Sequence, residues 1–261
     1  RLRANRAWWN DRVAPHAQSP FYDVAAFKAG KITLMDLERE ELGHVRGKSL
    51  LHLQCHFGLD TLSWARLGAQ TTGVDFSEDA IALARSLSEE LQIESEFICS
   101  DIYRLPDALS EQFDIVFTSY GVLCWLPDLT RWAQVIAHFL RPGGTFYIAE
   151  IHPFAWVFYD GEDARSLEVH YPYFHADEPL RFEADGSYAS AARCIHNVTY
   201  EWSHSLGDVV NSLISAGLRI EFLHEVPYAC YRMLPFMEQD ETGRWWLQKP
   251  DGAAWDPTSI P

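Results

Sequence analysis

The chain has 261 residues, which allows one large domain or two small ones. Hydrophobic residues make up 48% and charged residues 22%, which excludes a disordered, collagen-like or coiled-coil chain. With 21 Lys and Arg against 37 Asp and Glu, the formal net charge is −16, and such a surface repels phosphate backbones and anionic lipids. We therefore expect neither nucleic acid nor a membrane as a partner.

Residues 1–47 are the first segment, which we expect to be a helical cap with aromatic side chains. Residues 48–151 alternate short apolar runs with amphipathic stretches, which predicts right-handed βαβ units and a parallel sheet covered on both faces. Helices are predicted at 59–67, from Ser77 onward and at 129–140, with Ser77 and Asp128 as N-caps. The predicted strands are 49–53, 71–75, 96–98, 113–117 and 145–151, with a turn at 141–144 before the last.

Residues 152–201 break this alternation. Asp185-Gly186 predicts a hairpin turn between strands at 180–183 and 188–200, so we interpret the segment as a lid inserted into the domain. Residues 202–261 resume the pattern, with a helix at 206–216 and a sixth strand at 218–224. The whole chain, 1–261, is therefore predicted to be a single α/β domain.

Polar residues follow the carboxyl ends of the predicted strands, where an open parallel sheet binds its ligand. Asp75 closes the second strand about 20 residues after the first loop, a position suited to gripping ribose hydroxyls. Asp101 follows the third strand and is placed to accept a hydrogen bond from an adenine amino group. The first loop keeps only Gly58 of the dinucleotide-binding glycines, and no Walker lysine follows it.

The chain resembles class I S-adenosylmethionine-dependent methyltransferases over residues 49–151, in motifs that read LLHLQCHFG, GVDFS, SDIYRLP, FDIVFTSYG and LRPGGTFYIAE. Its first loop, HLQCHFGLDTLSWA, is similar to that of a bacterial branch acting on small molecules. The resemblance implies a Rossmann-like three-layer α/β/α sandwich with a mostly parallel sheet. It also implies methyl transfer from S-adenosylmethionine to an oxygen, nitrogen or sulfur of a small-molecule acceptor, with S-adenosylhomocysteine as the product.

The same resemblance assigns roles around the cofactor. Asp75 would bind the ribose, Phe76 and Ile102 would sandwich the adenine, and Asp101 would bond its amino group. The loop at 54–58 would wrap the methionine part. The predicted cofactor site comprises Tyr22, Gln54, Cys55, His56, Phe57, Gly58, Asp75, Phe76, Ser77, Asp101, Ile102, Ser119 and Tyr120.

The first loop departs from the family pattern, acidic-x-G-x-G-x-G. His52 stands at the acidic position, where we expect a structural histidine, and Gln54 and His56 replace two glycines. Glycine there allows the backbone to approach a ligand closely. The side chains at 54 and 56 must therefore point away from the cofactor or contact it themselves.

Methyl transfer needs alignment of the two reactants and exclusion of water, and aromatic faces can stabilise the cationic sulfur. Candidates for the latter are Tyr22, Phe57, Tyr120 and Trp125. If the acceptor must lose a proton, His152 after the fifth strand is the first candidate base, with His16 and Tyr120 as alternatives. A thiolate or carboxylate acceptor would need no base.

The N-terminal segment and the inserted segment are expected to close over the cofactor and define the acceptor pocket. Their aromatic content favours a partly apolar acceptor. Acidic residues in the insertion would favour a cationic acceptor if they faced the pocket, although solvated surface is their commoner fate. These acids are Asp177, Glu178, Glu183 and Asp185.

Three alternatives remain at this point. One is a non-catalytic cofactor- or nucleoside-binding protein of the same fold, which the altered first loop favours. Another is a nicotinamide-dependent dehydrogenase, against which the missing glycines count. The third is other sulfonium-assisted chemistry. The scattered histidines predict no metal site, and five cysteines without a CxxC pair are typical of a reducing cytoplasm.

The resemblance implies a sheet of seven strands, yet residues 244–261 contain no convincing seventh one. Pro250, Pro257 and Pro261 suit edges and turns rather than a central strand. A fifth strand left unpaired would invite association. We therefore expect either that the native chain continues past residue 261 or that a second copy covers this edge and forms a homodimer.

Overall fold

A five-stranded parallel sheet lies at the centre of the molecule, in the order β3-β2-β1-β4-β5. The computed structural model describes residues 1–248. The predicted α/β fold and its five core strands are confirmed. The strands are β1 (Ser49–Leu53), β2 (Gln70–Asp75), β3 (Ser95–Cys99), β4 (Phe113–Ser119) and β5 (Leu140–Ala149).

Helices cover both faces of the sheet, which explains why β1 and β4 are almost continuously apolar. Leu51 and Val116 pack toward α7 (Leu129–Phe139) and α8 (Leu206–Ser215), whereas Leu50 and Ile115 pack with Trp64 of α4 (Leu59–Arg66) on the opposite face. The result is a three-layer α/β/α sandwich. The helices that follow β1 are α4 (Leu59–Arg66), α5 (Glu78–Leu91), α6 (Leu105–Ala108), α7 (Leu129–Phe139) and α8 (Leu206–Ser215).

The two predicted N-caps are confirmed. The Ser77 hydroxyl accepts a hydrogen bond from the backbone N–H of Ala80 at 3.1 Å, and the Asp128 carboxylate accepts one from Arg131 at 2.9 Å. Each cap satisfies a backbone donor that its helix cannot satisfy itself, and so fixes where the helix begins. The carboxyl end of the preceding strand is thereby held next to the loop that leads into the helix.

The N-terminal segment (residues 1–47) is helical, as predicted. It contains α1 (Leu2–Ala17), α2 (Val24–Lys28) and α3 (Asp36–Leu42). Val13 of α1 and Phe27 of α2 pack with α4 and α5. No helix within residues 1–248 is both long enough and apolar enough to cross a membrane.

The insertion (residues 152–201) contains a two-stranded antiparallel hairpin of β6 (Leu180–Glu183) and β7 (Val198–Glu201). The hairpin was predicted, but the tight turn at Asp185-Gly186 is wrong. Glu183 pairs with Val198, so the connection between the strands is the whole of 184–197. Within it, Ser187 and Ser190 form only a local bridge.

Arg12 explains why this long connection is ordered without strand pairing. Its side chain is 1% exposed, and it donates hydrogen bonds to the carbonyl oxygens of His196 at 2.5 Å and Ala184 at 3.3 Å. The guanidinium carbon also lies 3.9 Å from the centroid of the Trp8 ring. A buried cation on α1 therefore satisfies backbone acceptors at both ends of the connection and ties the insertion to the N-terminal segment.

Asn5 also links α1 to the insertion, through β7. Its side-chain amide donates to the carbonyl oxygen of Tyr200 at 2.7 Å and accepts from the backbone N–H of Tyr200 at 2.8 Å. The side chain thus bonds both backbone groups of Tyr200, as a neighbouring strand would do. The hairpin is held against α1 on this side.

The predicted sixth strand is wrong. Residues 218–224 have no strand pairing, and their apolar side chains at Ile220, Phe222 and Leu223 are exposed. Alternation of apolar residues is insufficient here because no neighbouring strand lies beside them. Among residues 1–248 the outer edge of β5 has no strand partner.

The region around β5 differs from prediction in two further ways. The expected turn at 141–144 is part of β5, which is irregular opposite Phe113 and Ile115. Near the C-terminus, β8 (Met237–Gln239) pairs with β9 (Trp245–Leu247) rather than with β5. No seventh strand was expected within residues 244–261, and residues 249–261 of that segment lie outside the described residues. Coverage of the β5 edge by further chain or by a second copy stays a prediction.

We expect Arg12→Met to release the connection at 184–197 while leaving the central sheet folded. Hydrogen bonds to a charged group contribute about 1.5–3 kcal/mol, so the free energy of unfolding should fall by about that amount. Hydrogen exchange should accelerate at 184–197 but not in β1 or β4. Arg193→Met is the control, because Arg193 lies in the same connection with an exposed side chain. Equal exchange in the two variants would contradict the role of Arg12.

Candidate functional site

A single cavity of about 1390 Å³ lies at the carboxyl ends of the strands and continues beneath the insertion. A pocket for one small molecule typically has roughly 300–1,000 Å³. The cavity is therefore large enough for two ligands side by side. One end is lined by Asp75, Asp101 and Ser119 at the strand ends, and the other by residues of the insertion hairpin.

Asp75, at the end of β2, is oriented by the backbone around it. Its carboxylate accepts hydrogen bonds from the backbone N–H groups of His56 at 2.8 Å and Ser77 at 2.9 Å. Burial raises the pKa of Asp75 to about 6, although these bonds act in the opposite direction. The carboxylate is ionised at neutral pH, lines the cavity, and has a fixed orientation for accepting hydrogen bonds from a ligand.

The residues predicted around an adenine lie together. Phe76, Asp101 and Ile102 line the cavity and follow the paired strands β2 and β3, where the backbone N–H of Ser100 donates to the carbonyl oxygen of Asp75 at 2.9 Å. Asp101 accepts a hydrogen bond from the backbone N–H of Tyr103 at 2.9 Å, which fixes the carboxylate at the start of a short 3-10 helix. The arrangement provides an aromatic and an aliphatic surface beside a hydrogen-bond acceptor.

Ser77 does not contribute to this surface. Its hydroxyl caps α5 and donates to the side-chain oxygen of Asn10 at 2.5 Å, and the residue is fully buried. It is not among the residues that line the cavity. The predicted contact between Ser77 and a cofactor is therefore not supported, because the hydroxyl is already used in holding α5 and α1 together.

The first loop adopts a backbone conformation that usually requires glycine. The φ angles of Gln54, His56 and Gly58 are 58°, 50° and 78°, all in the left-handed region. At Gly58 a Cβ atom would lie 2.6 Å from the Phe97 ring, so glycine is required there. At 54 and 56 side chains replace glycine at the expense of backbone strain.

Gln54 shows what its side chain contributes. Its amide nitrogen donates to the carbonyl oxygen of Val122 at 3.1 Å, which ties the first loop to the loop after β4. Its Oε1 atom is buried and has no hydrogen-bond partner in the part of the chain that the structure describes. Since buried acceptors are normally satisfied, this atom is available to a ligand in the cavity.

Neither His16 of α1 nor His56 of the first loop is placed to act as a base. The Nδ1 atom of His16 lies 3.2 Å from Nε2 of His56, and its Nε2 atom lies 2.8 Å from the Ser187 hydroxyl. Burial lowers the pKa of both rings, that of His16 to about 4. His16 does not line the cavity, so its predicted role as a base is not supported. Both rings instead join the first loop to α1 and the insertion.

His152 is also placed away from the cavity. It is exposed, its Nε2 atom lies 2.7 Å from the Glu225 carboxylate, and its Nδ1 atom accepts from the backbone N–H of Phe154. Neighbouring Ile151 and Pro153 line the cavity, but His152 does not. The prediction that it is the base is not supported, because its ring nitrogens are used on the outer surface.

Tyr120 is the candidate catalytic residue that does line the cavity. Its hydroxyl donates to the Glu38 carboxylate at 2.9 Å. Asp60 lies in the same part of the cavity, where it accepts hydrogen bonds from Thr33 at 2.5 Å and Ser119 at 3.4 Å. Burial and the charge of Asp60 raise the pKa of Glu38 to about 7.

Sequence reasoning missed Glu38 and Asp60. Both stand in the first turn of a helix, where an acid is ordinarily explained by the helix dipole. Glu38 does cap α3, since it accepts from the backbone N–H of Met35 at 2.7 Å. The FGLD sequence of the first loop was the available signal for Asp60.

Aromatic rings line the cavity as predicted from their clustering in the terminal and inserted segments. Trp125 donates its indole N–H to the carbonyl oxygen of Gly121 at 2.9 Å and packs on Trp9. The hydroxyl of Tyr22 is hydrogen-bonded to that of Tyr188, which joins the N-terminal segment to the insertion. The cavity-lining rings include Trp9, Tyr22, Phe57, Tyr120, Trp125 and Tyr188.

The remaining predicted residues are a packed thiol, a structural histidine and four exposed acids. Cys55 lines the cavity, but burial raises its thiol pKa well above the ordinary value, so it is a packed thiol. His52 is buried, bonds the Thr61 hydroxyl at 2.8 Å and is a structural histidine. The four acids predicted as candidates for binding a cation are all exposed: Asp177, Glu178, Glu183 and Asp185.

Comparison with known proteins decides the class of the core. The family model described as "Methyltransferase domain" matches residues 51–148, which include all five strands of the sheet apart from their outermost residues. Residues 51–148 are a methyltransferase domain. Its motifs and strand order are similar to those of the class I, S-adenosylmethionine-dependent type.

Curated relatives match the same part of the chain. A ubiquinone biosynthesis O-methyltransferase of Coxiella burnetii is 33% identical over 108 residues, 41% of this chain and 45% of the relative. One from Alkalilimnicola ehrlichii is 28% identical over 138 residues, 52% of this chain and 51% of the relative. The methyltransferase domain thus spans about half the length of the curated relatives that it matches.

Solved structures share the fold over more of the chain. A S-adenosylmethionine-dependent methyltransferase of Clostridium acetobutylicum has a TM-score of 0.53 at 16% identity, covering 81% of this chain and 86% of its own. One from Mesorhizobium loti has a TM-score of 0.51 at 20% identity, covering 77% and 87%. The fold similarity therefore extends beyond residues 51–148.

The pKa of Glu38 predicts a pH effect on stability. Because the folded-state pKa of about 7 lies above the ordinary 4.5, the folded protein binds more protons than the unfolded chain between these values. The free energy of unfolding should therefore fall as the pH rises from about 4.5 to 7. We expect Glu38→Gln to reduce this fall by about 2–3 kcal/mol, measured by urea unfolding at each pH.

Glu40→Gln is the matched control for that experiment. Glu40 lies in the same helix and is exposed, so this variant should keep the wild-type dependence on pH. If the free energy of unfolding of Glu38→Gln fell as steeply with pH as that of the control, the Glu38 carboxyl would have an ordinary pKa.

Proposed function

We propose that the protein transfers a methyl group from S-adenosylmethionine to a small-molecule acceptor. The observation that carries the proposal is that Asp75, Phe76, Asp101 and Ile102, at the ends of adjacent strands, all line one cavity in a methyltransferase domain. The cavity volume supports a second ligand beside the cofactor. The net charge of −16 disfavours nucleic acid as the acceptor.

The chemistry of the cavity wall fits this cofactor. Asp75 would accept hydrogen bonds from the ribose hydroxyls, and Asp101 one from the adenine amino group. The unsatisfied Oε1 of Gln54 and the carboxylate of Asp60 would hold the ammonium of the methionine part. Burial raises the pKa of Asp60, as expected for a carboxylate without a cation beside it, and a bound ammonium would offset that effect.

When bound, the cofactor supplies a methyl group on a positively charged sulfur. The residues of this chain orient the reactants, exclude water and present aromatic faces to the positive charge, each face contributing about 0.5–2 kcal/mol. Tyr22, Phe57 and Trp125, which line the cavity, are our candidates for this role. Alignment of the two reactants in this cavity would therefore supply the main catalytic effect.

Tyr120 is the group that we propose for moving a proton, where the acceptor must lose one. Its hydroxyl donates to Glu38, so its oxygen can accept a proton from the acceptor while its own proton passes to the carboxylate. The raised pKa of Glu38, about 7, suits a carboxylate that takes up a proton near neutral pH.

Oxygen is the methylated atom in the names of the matching curated relatives, which supports an O-methyl acceptor for this chain. All five cysteines are free thiols, which supports a reducing compartment, and we propose the cytoplasm. Aromatic residues of the N-terminal segment and the insertion would select an acceptor that is partly apolar.

Cofactor binding tests the proposal. We expect Asp75→Asn to weaken S-adenosylhomocysteine binding by about 10- to 100-fold in calorimetry, because charge-assisted hydrogen bonds contribute about 1.5–3 kcal/mol. The affinity of the wild type should also fall as the pH drops through about 6, where Asp75 becomes protonated. Asp79→Asn, at an exposed position in the first turn of α5, should leave binding unchanged.

Unchanged affinity in a folded Asp75→Asn variant would remove this residue from the cofactor site. Turnover is tested separately, with S-adenosylmethionine labelled on the methyl group and a panel of small hydroxyl, amine and thiol compounds. Cofactor binding without transfer to any compound in the panel would favour a non-catalytic binding protein.

A further inference from the structure

The insertion hairpin presents one face to the cavity. Leu180 pairs with Glu201 and Phe182 pairs with Thr199, and because side chains alternate along a strand these four share a face. All four line the cavity. The alternate residues Arg181 and Glu183 are exposed and form an ion pair with each other on the opposite face.

Glu201 is the unusual member of this face. Its single hydrogen bond within residues 1–248 comes from the Thr199 hydroxyl, at 3.2 Å to Oε1, and no Lys or Arg in that range forms an ion pair with it. Burial raises its pKa to about 7, and the charge of Asp160 acts in the same direction. A half-buried carboxylate that lines a cavity without a cation beside it is stabilised when a ligand supplies the positive charge.

An aromatic side chain, that of Phe182, shares the cavity-facing side of the hairpin with this carboxylate. The rings of Tyr171 and Phe182 lie 5.5 Å apart, and both line the cavity together with Trp156 and Phe158. The Tyr171 hydroxyl is 3.4 Å from the carboxylate of Asp160, which lines the cavity as well. Aromatic faces and carboxylates together are the groups by which proteins hold organic ammonium ions.

We propose that this end of the cavity binds the ammonium group of an amine-bearing acceptor, with Glu201 as the residue that pairs with it. The inference rests on the proposed function, because it concerns the second ligand of the same cavity. It names the acceptor by class: an organic cation with an apolar or aromatic part. The methylated atom is a separate matter, since an acceptor held by its ammonium can present a hydroxyl to the cofactor.

Glu201 belongs to a different wall of the cavity from the residues assigned to the cofactor. Asp75, Asp101 and Asp60 lie at or after the carboxyl ends of strands in the central sheet, whereas Glu201 lies on β7 of the insertion. Two sets of carboxylates therefore face one cavity from two structural elements. A single cofactor needs only the first set.

The test compares ligands that differ only in charge. Phenethylamine, 2-phenylethanol and phenylacetate are titrated into the protein saturated with S-adenosylhomocysteine, and binding is followed by calorimetry. The wild type should bind the amine at least tenfold more tightly than the alcohol and should reject the carboxylate. Glu201→Gln keeps the shape and the acceptor for Thr199, and it should lose at least tenfold in affinity for the amine with the alcohol unchanged.

Glu183→Gln is the control, since Glu183 lies in the same hairpin but on its exposed face, and it should keep the wild-type preference. No preference of the wild type for the amine would overturn the proposal, and so would an unchanged preference in Glu201→Gln. The wild-type comparison decides the matter even if Glu201→Gln does not fold.

Affinity for S-adenosylhomocysteine separates the two proposals. A wild type that binds S-adenosylhomocysteine but shows no preference for the amine would contradict only the assignment of Glu201. Failure of the wild type to bind S-adenosylhomocysteine would instead contradict the proposed function.

Discussion

Five carboxylates that line the cavity are buried or half-buried, and no Lys or Arg among residues 1–248 forms an ion pair with any of them. Burial raises the pKa of Glu38, Asp60, Asp75, Glu150 and Glu201, and backbone N–H groups or hydroxyls are what hold them. Among the described residues, Arg12 is the only Lys or Arg that is buried, and its donors are directed at carbonyl oxygens. Because backbone N–H groups hold these carboxylates, the carboxylates fix the positions of the strand-end loops. Because no cation accompanies them, they also make the cavity negative.

Glu150 shows how such a carboxylate shapes a loop. It accepts hydrogen bonds from the backbone N–H groups of Gly121, Val122 and Leu123, in the loop that follows β4. Charge-assisted bonds of this kind are about twice as strong as neutral ones. The loop that carries Tyr120 and Trp125 into the cavity is therefore fixed by an acid at the end of the neighbouring strand.

The sheet could be predicted because its signals are local. Apolar runs, N-caps such as Ser77 and Asp128, and acids closing a strand depend on neighbours within a few residues, and parallel topology then brings the strand ends together. Asp75 and Asp101 were found in this way. The sixth strand failed because pairing depends on a partner that the pattern of 218–224 does not reveal.

Side-chain direction outside the sheet could not be predicted from the sequence. His152 follows β5 by a few residues, yet its ring turns outward to Glu225, a contact between segments far apart in the chain. Glu201 and Glu183 are both acids of one hairpin, and only the register of β6 with β7 decides which of them faces the cavity. That register in turn depends on a long connection held by Arg12 rather than on a turn motif.

The side chains at 54 and 56 also bear on ligand selectivity. Where related methyltransferases have glycine, a ligand meets only backbone, which is nearly the same surface in every member. In this protein the same position offers the amide of Gln54 and the ring of His56, fixed by left-handed φ angles and by contacts to Val122 and Asp75. In the proposed complex the ammonium of the methionine part would donate to the Gln54 oxygen, a contact that a glycine loop lacks, so the strained loop is where an inhibitor selective for this protein would be designed.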